Sequence, residues 1–309
     1  MADAVKTWLP WEDPDSFLGG LPAGFDVDFY AGGERPPSLG SVEFYVPNYL
    51  GNSAVVDIIK EMPALKVVQT QTAGFENFLP HLADGVTLCN ARGVHDASTA
   101  ELAVGLILAM YRRLPRAVRN QERGLWPSYP EIDDSLADRT VLILGYGSIG
   151  EALERRLAGF ECDVIRVARR ARDGVSPISE LPELLPKADV VVVLTPATDQ
   201  TRGMVDGNFL AQLKDGALLV NVARGVVVDT EALIAELGNG RISAALDVTD
   251  PEPLPAGHPL WSAPNVLINP HRGGASTAFA PRVARLVRAQ LERYAKGEPL
   301  INVVAGPPR

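Results

Sequence analysis

Short apolar runs recur along the first part of the chain, separated by glycine- and proline-rich stretches. A helical pattern over Ala54–Lys60 lies between two of these runs. Apolar runs that alternate with helices are typical of parallel strands, so this part predicts a small α/β domain. The predicted strands are Val5–Leu9, Val27–Tyr30, Val42–Val46, Leu65–Gln69 and Val86–Cys89.

A second set of apolar runs begins at Val141–Leu144, which predicts a buried strand. Residues 145–150 follow it and place three glycines at the spacing G-x-G-x-x-G. Ile149, Leu153 and Leu157 then recur four residues apart, which predicts a helix directly after the glycines. With this strand, five later runs predict a six-stranded, doubly wound parallel sheet. These runs are Val164–Ala168, Val190–Leu194, Ala217–Val222, Ile242–Val248 and Val266–Asn269.

Two long helical patterns bracket the second sheet in the sequence. Ala100–Met110 is apolar on nearly every face, which predicts a helix that is buried on all sides. Ser98 and Glu101 have the spacing of a capping box at its start. A second long helix is predicted over Ser276–Lys296, followed by a short extended tail.

The order of these elements predicts an insertion of one domain into another. Residues 1–98 and 276–309 form one domain in this prediction, and residues 99–275 form the inserted one. The expected fold class is α/β, with two doubly wound parallel-sheet domains. A Rossmann-type coenzyme domain is inserted into a smaller, flavodoxin-like substrate domain.

Composition excludes several classes of partner. The 309 residues are 46% hydrophobic and 22% charged, with a net charge of -9. This negative charge would repel nucleic acid or an acidic membrane surface, so neither is an expected partner. Cys89 and Cys162 are too few for a disulfide framework, and no cysteine or histidine spacing suggests a metal site. No signal-peptide pattern or membrane-length apolar stretch is present, so we expect a cytoplasmic protein.

The glycine pattern at residues 145–150 predicts a dinucleotide site, because it lies between a strand and a helix. The first glycine permits the tight turn, and the second allows the backbone to approach a pyrophosphate. The third lets the helix pack on the strand, and the helix N–H groups face the anion. The candidate residues are Gly145, Tyr146, Gly147, Ser148, Ile149 and Gly150.

Three charged residues lie just beyond the ends of predicted strands in the second domain. Arg224 follows Ala217–Ala223, Glu252 follows Ile242–Val248, and His271 follows Val266–Pro270. Ligands of open parallel sheets lie at the carboxyl edge, so we expect all three to face the same crevice as the glycines.

The sequence resembles the NAD(P)-dependent D-2-hydroxyacid dehydrogenases, and it is most similar to the glyoxylate/hydroxypyruvate reductase branch. The resemblance covers most of the chain and is weakest before residue 65. It is carried by Val141–Gly150, Thr195–Thr201, Asn221–Asp229, Leu246–Leu254, His258–Trp261 and Asn269–His271, and for the branch by Ser98–Val104 and Tyr111–Pro115.

This resemblance implies a carbonyl reduction by hydride transfer. His271 would donate the proton, since histidine titrates near neutral pH, and Glu252 would favour and orient its imidazolium. Arg224 would bind the substrate carboxylate and keto oxygen. The backbone N–H groups of Ala73 and Gly74 match the family's carboxylate-binding loop. Further cofactor contacts are implied for Thr195, Pro196, Thr201, Val222, Ala223, Asp247 (the nicotinamide carboxamide partner) and His271.

The end of the second Rossmann strand predicts NADPH rather than NADH. An NAD site usually places a carboxylate about 20 residues beyond the glycines, where it binds the ribose hydroxyls. Eighteen residues past Gly150 the chain has Ala168, followed by Arg169, Arg170 and Arg172. Guanidinium groups bind a ribose phosphate by charge-assisted hydrogen bonds.

Some alternatives stay open at this point. A dehydrogenase of phosphorylated hydroxyacids would need extra cations near the cleft, and Arg92 and Arg272 are candidates. A nucleotide-sensing corepressor on the same fold would bind the cofactor without catalysis. A formate dehydrogenase is disfavoured, because those enzymes carry Gln where this chain has Glu252. We also expect a homodimer, formed through the apolar helix Ala100–Met110.

Overall fold

The structure is a computed structural model that describes residues 4–49, 51–128 and 132–307. The described strands are β1 Val5–Leu9, β2 Phe25–Phe29, β3 Phe44–Tyr45, β4 Val67–Gln69, β5 Thr87–Cys89, β6 Thr140–Leu144, β7 Asp163–Ala168, β8 Ser176–Pro177, β9 Val190–Val193, β10 Leu218–Asn221, β11 Ser243–Leu246, β12 Val266–Ile268 and β13 Val303–Ala305. The described α-helices are α1 Pro14–Leu18, α2 Ala54–Asp57, α3 Asp96–Tyr111, α4 Leu114–Glu122, α5 Ser148–Leu157, α6 Leu181–Leu184, α7 Gly207–Ala211, α8 Thr230–Gly238 and α9 Phe279–Ala295.

The chain divides into two compact units. The first comprises Met1–His95 and Thr277–Arg309, and the second comprises Asp96–Ser276. The domain boundaries at 98/99 and 275/276 stay a prediction.

The sheet of the first unit has the strand order β13-β5-β4-β3-β1-β2. β1 to β5 pair in parallel, in the 2-1-3-4-5 order of flavodoxin-like folds, and β13 adds an antiparallel edge beside β5. Both faces are covered: Trp8 and Tyr45 lie in one apolar core, while Leu9 and Phe44 pack with Val283 of α9 in the other. The flavodoxin-like expectation is confirmed.

The sheet of the second unit has the order β12-β11-β10-β9-β6-β7-β8, with every pairing parallel. The order reverses between β6 and β9, as in Rossmann-type sheets. Val190–Val193 is buried at all four positions, which explains its uninterrupted apolar sequence. The sheet has seven strands rather than the six predicted, because the two-residue edge strand β8 carries no apolar run.

Two expectations for helix α3 are wrong. The helix begins at Asp96, so Ser98 lies inside its first turn and does not cap it. It is not buried on all sides either: Ala103 and Ile107 are fully buried, but Glu101 and Gly105 are exposed. Because this helix is apolar on nearly every face, its sequence does not show which face will be buried. In the structure one face remains exposed to solvent.

An exposed apolar patch follows α3 along the chain. Five of the nine exposed large apolar side chains in the described residues lie between positions 114 and 132. They are Leu114, Val118, Leu125, Trp126 and Ile132, and we call them the 114–132 patch. Trp126 is 99% exposed and Ile132 is 93% exposed, which is uncommon for such large side chains. None of the helices in the described ranges is both long and apolar enough to span a membrane.

Candidate active site

The glycine turn lies at the carboxyl end of β6, beside the point where the strand order reverses. Gly145 has φ of +102°, and a Cβ there would lie 2.6 Å from the backbone carbon of Leu194 at the end of β9. Only glycine fits this approach of two backbones. Gly147 precedes the first residue of the ten-residue helix α5, Ser148, and buried Gly150 lies in its first turn. The turn therefore presents a helix N-terminus to the sheet edge, which suits a pyrophosphate.

Tyr146 is held by charged residues of α5 and β7. Its hydroxyl donates to the Glu154 carboxylate, which also accepts from the guanidinium of Arg166. The hydrogen bond from Arg166 is the main cause that lowers the pKa of Glu154, and burial raises the pKa of Tyr146. Arg172 donates to the Tyr146 carbonyl, and its guanidinium carbon lies 5.5 Å from the ring centroid. The second residue of the glycine turn is thus fixed from both sides.

The strand end predicted to choose the cofactor has no acidic side chain. Ala168 is the last residue of β7, and Arg169 and Arg170 follow it with exposed side chains. Within the described ranges, neither arginine forms a salt bridge or a side-chain hydrogen bond. Both guanidinium groups are therefore open to an anion from solution.

The turn after β9 contains an unpaired buried hydroxyl. Thr195 is 7% exposed, and its Oγ1 has no hydrogen-bond partner among the described residues. Thr201 closes the same turn by donating to the Pro196 carbonyl at 2.6 Å. An unsatisfied buried hydroxyl beside the glycine turn fits a polar ligand that supplies the missing partner. Val222 and Ala223, at the end of β10, are buried.

Arg224 follows β10, and its loop is held by two contacts. Asn221 accepts from the Ala223 N–H and donates to the Arg224 carbonyl, both at 3.0 Å. A Cβ on Gly225 would lie 1.9 Å from the Thr249 carbonyl oxygen, so only glycine lets this loop pack against the loop that carries Glu252. The Arg224 guanidinium donates one N–H to the Ala223 carbonyl at 2.7 Å.

Glu252 and His271 are brought together. They follow the adjacent strands β11 and β12, and Nδ1 of His271 is hydrogen-bonded to Oε1 of Glu252. Because a carboxylate accepts, Nδ1 carries the proton and Nε2 faces away from the pair. The side chains are 48% and 40% exposed, so the pair is accessible from solution.

Asp247 anchors the loop that carries His271. Its Oδ1 accepts from Nδ2 of Asn269 at 2.5 Å and from the Arg272 N–H at 2.7 Å, while Oδ2 accepts from the Gly273 N–H at 2.8 Å. Asp247 is 2% exposed. A carboxylate has about four acceptor positions, so one remains for a ligand such as a carboxamide.

In the first unit, Ala73 and Gly74 lie in the loop after β4. Their backbone N–H groups have no acceptor among the described residues, whereas their carbonyls accept from Asn90 Nδ2 at 2.7 Å and from Thr72 Oγ1 at 2.6 Å. The Phe75 N–H is bonded to the Glu76 carboxylate at 2.9 Å. The loop therefore leaves two adjacent donors open.

Sequence reasoning missed the residues that hold these groups in place. Asn221 is the last residue of β10 and Asn269 directly follows β12. A polar residue at the end of an apolar run is the signal that could have found them. Asn221 is 1% exposed, so its amide has to be paired inside the protein.

A glycine turn at the switch point of a doubly wound sheet, with a histidine–carboxylate pair at the same edge, defines a dinucleotide-dependent dehydrogenase. The chain belongs to the D-isomer-specific 2-hydroxyacid dehydrogenases, since the model of that family's NAD-binding domain matches residues 104–273. The predicted family and enzyme class are confirmed.

Several relatives support this assignment. Glyoxylate reductase of Thermofilum pendens is 34% identical over 255 residues, which cover 78% of this chain and 75% of the relative. Human glyoxylate reductase/hydroxypyruvate reductase is 34% identical over 252 residues, 76% of each chain. D-3-phosphoglycerate dehydrogenase of Methanocaldococcus jannaschii is 31% identical over 83% of this chain and 51% of the relative.

Solved structures show the same fold. A D-isomer-specific 2-hydroxyacid dehydrogenase from Xanthobacter autotrophicus Py2, in complex with NADPH and MES, has a TM-score of 0.81 at 31% identity and covers 98% of both chains. An NADPH-dependent glyoxylate/hydroxypyruvate reductase from Sinorhizobium meliloti, with NADP and malonate, has a TM-score of 0.78 at 26% identity and covers 98% and 97%. The chain is thus an NAD(P)-dependent D-2-hydroxyacid dehydrogenase.

Proposed function

We propose that this enzyme reduces small 2-oxoacids of the glyoxylate and hydroxypyruvate type to D-2-hydroxyacids with NADPH. The observation that carries the proposal is the hydrogen bond between His271 Nδ1 and Glu252 at the sheet edge that holds the glycine turn. This edge combines a proton donor with a dinucleotide site. Relatives named glyoxylate reductase support the substrate class.

His271 is the proton donor in this proposal. A nicotinamide cofactor, when bound, would supply the hydride, and the chain's own residues would then meet the negative charge on the keto oxygen. Nε2 of His271 donates its proton to that oxygen, while Glu252 holds Nδ1 and stabilises the charged ring before the transfer. The fixed ring orientation reduces the reorganisation needed at the moment of proton transfer.

Each unit offers donors that suit the groups of a 2-oxoacid. Arg224 uses one N–H for the Ala223 carbonyl, and its planar fork retains further donors for the keto oxygen and carboxylate. The N–H groups of Ala73 and Gly74 donate to the carboxylate, in keeping with their lack of other acceptors among the described residues. Charge-assisted hydrogen bonds of this kind are the stronger ones in proteins.

Residues of the second unit would hold the cofactor. The pyrophosphate would lie against Gly145, Gly147 and the first turn of α5, from Ser148 through Ile149 to Gly150. Thr195 Oγ1 and the remaining acceptor position of Asp247 would meet polar groups of the nicotinamide half. The surrounding walls would be formed by Tyr146, Pro196, Thr201, Val222 and Ala223.

A substrate screen tests the proposal. Purified enzyme is assayed with NADPH or NADH against glyoxylate, hydroxypyruvate, pyruvate and 3-phosphohydroxypyruvate. We expect turnover of the small 2-oxoacids, a loss of about a hundredfold or more in kcat for His271→Ala, and losses in both KM and kcat for Arg224→Ala. Tight cofactor binding without turnover of any 2-oxoacid would contradict the proposal.

A phosphorylated hydroxyacid is the second candidate substrate. Arg92 of the first unit and Arg272 of the second are exposed and form no salt bridge among the described residues, so each guanidinium is available to an anion. One matched relative is named D-3-phosphoglycerate dehydrogenase. A kcat/KM for 3-phosphohydroxypyruvate well above that for hydroxypyruvate, reduced by Arg92→Ala or Arg272→Ala, would favour this candidate.

We also propose that two copies of the chain pair through α3, α4 and the 114–132 patch. α4 buries none of its residues, and Trp126 and Ile132 are almost fully exposed. A second copy that presents the same surface would bury this patch symmetrically, as closed dimers do.

A further inference from the structure

We propose that Thr70 and Asn90 are positioning residues, which fix the peptide planes of the loop after β4 so that two N–H groups point outward as a carboxylate site. The inference rests on the proposed function, because it assumes that Ala73 and Gly74 bind the substrate carboxylate. Both residues act on the loop, and neither would contact the substrate itself.

Thr70 and Asn90 occupy equivalent places in the sheet of the first unit. β4 and β5 are parallel with Gln69 opposite Cys89, so Thr70 and Asn90 each follow the last strand residue. Both are buried: Thr70 is 0% exposed and Asn90 is 8% exposed. The ends of two neighbouring strands, β4 and β5, therefore each place one side-chain donor beside the loop after β4.

Each donor holds one carbonyl of the loop. Thr70 Oγ1 donates to the Thr72 carbonyl at 2.9 Å, and the Ala91 N–H donates to the same oxygen at 2.8 Å. Asn90 Nδ2 donates to the Ala73 carbonyl at 2.7 Å. Neither interaction belongs to the regular hydrogen-bond ladder of the sheet. The Ala73 carbonyl depends on the Asn90 side chain, and at the Thr72 carbonyl the Thr70 hydroxyl adds a second donor to the Ala91 N–H.

Because the peptide bond is planar, a hydrogen bond that fixes a carbonyl also fixes the direction of the N–H in the same peptide plane. In a trans peptide the carbonyl and the following N–H point in opposite directions. The donor on the Thr72 carbonyl therefore turns the Ala73 N–H away from the core, and the donor on the Ala73 carbonyl does the same for the Gly74 N–H. These two N–H groups are the ones without an acceptor among the described residues.

A second layer of buried amides supports Asn90. Gln290 of α9 donates to Gln69 Oε1 at 2.7 Å, and Gln69 Nε2 donates to the Asn90 carbonyl at 3.1 Å. Gln69 and Gln290 are both 0% exposed, so these amides are held inside the protein. A fixed loop loses little entropy on binding, which favours affinity for a small anion.

Three substitutions test the inference at the donor atoms. Thr70→Val keeps the side-chain size and removes the donor, and Thr70→Ser keeps the hydroxyl. Asn90→Asp keeps the side-chain size but replaces the donor with a charged acceptor, so the uncharged Thr70 pair controls for the effect of charge. Asn302→Gly is the matched control: Asn302 has φ of +57°, which glycine adopts freely, and its amide donates to the Arg92 carbonyl rather than to the loop. The measurements are KM for glyoxylate, kcat, the inhibition constant of oxalate, and the dissociation constant of NADPH.

We expect Thr70→Val and Asn90→Asp to raise KM for glyoxylate and the inhibition constant of oxalate by about tenfold or more, the scale of a lost charged hydrogen bond. kcat should change far less than KM, NADPH affinity should not change, and Thr70→Ser and Asn302→Gly should resemble the wild type. If Asn90→Asp does not fold, the comparison of Thr70→Val with Thr70→Ser tests the inference by itself.

Two results overturn the inference while leaving the proposed function intact: carboxylate affinity unchanged in both donor variants, or Thr70→Ser as impaired as Thr70→Val. A failure of the proposed function looks different. In that case the wild type itself neither turns over 2-oxoacids nor binds oxalate in calorimetry, whatever the variants do.

Discussion

The backbone N–H of His271 donates to the carbonyl oxygen of Asp247 at 2.7 Å, and His271 has φ of +50°. Few residues other than glycine adopt this left-handed backbone, and it persists where surrounding contacts determine it. The Asp247 carboxylate supplies those contacts, since it accepts from the side chain two residues before His271 and from the two backbone N–H groups after it. A buried carboxylate directly after β11 thus sets the direction of a histidine that follows β12.

Asn269→Leu should slow catalysis more than it weakens cofactor binding. The substitution removes the 2.5 Å hydrogen bond to Asp247 and frees the loop around His271. We expect kcat to fall about tenfold or more, because a small displacement of a catalytic group is costly, while NADPH affinity should fall by less, since the glycine turn is unchanged. Asn265→Gly is the control, because Asn265 lies at the other end of β12 with φ of +55°. Equal effects of the two substitutions would refute the role of Asn269.

Glu252→Gln should slow reduction without changing cofactor affinity. The neutral amide can still orient the His271 ring, but it no longer stabilises the charged imidazolium that donates the proton. We expect kcat for glyoxylate to fall by about tenfold or more, while the dissociation constant of NADPH stays the same. Steady-state kinetics and calorimetric titration of wild type and variant provide the measurement. An unchanged kcat would show that the pair does not act together.

The glycine turn, most strands and the His271 pair could be predicted because their signals are local in sequence. Glycine spacing, apolar runs and the charged residue after each run need no knowledge of distant contacts. β8 escaped prediction because Ser176–Pro177 is a two-residue edge strand without an apolar pattern. Thr70, Asn90 and Asn269 escaped because each donates to a group from another part of the fold or another loop position, and a small polar residue after a strand is common.

Glu154→Gln should remove part of the stability of the enzyme only above acidic pH. The hydrogen bond from Arg166 lowers the pKa of Glu154 below its ordinary value of 4.5, so the ionised group stabilises the folded state. This contribution is fully present above the unfolded pKa and is lost as pH falls through the folded one. We expect the variant's Tm to be lower by roughly 2–4 °C at neutral pH, with a smaller difference at low pH. The measurement is thermal unfolding followed by circular dichroism at several pH values. A difference in Tm between wild type and variant that stays constant with pH would contradict the prediction.

The 114–132 patch predicts a homodimer. Trp126→Ser together with Ile132→Ser removes two of its exposed apolar side chains without touching the buried core. The wild type should have the mass of a dimer in light scattering at micromolar concentration, and the double variant should shift toward the monomer. Leu79→Ser, at an exposed apolar residue of the first unit, is the matched control. A monomeric wild type would disprove the pairing.

The last prediction concerns the choice between NADPH and NADH. Ala168 ends β7 where an NAD-binding enzyme places a carboxylate, and Arg169 and Arg170 beside it are exposed without ionic partners in the described ranges. A ribose phosphate would gain one or two charge-assisted hydrogen bonds there, worth about 2–3 kcal/mol. Arg172 differs from its neighbours, because its guanidinium already donates to the Tyr146 carbonyl.

We therefore expect kcat/KM with NADPH to exceed that with NADH by about thirtyfold or more, the ratio that 2 kcal/mol provides. The triple variant Ala168→Asp, Arg169→Ala and Arg170→Ala should reverse the preference, since the new carboxylate repels the phosphate and accepts from the ribose hydroxyls. Arg155→Ala is the control: it removes an arginine from the last turn of α5 and should leave the ratio unchanged. Calorimetric titration with NADP+ and NAD+ separates binding from turnover. A wild type that prefers NADH, or a triple variant whose ratio does not move, would show that these arginines serve only the surface.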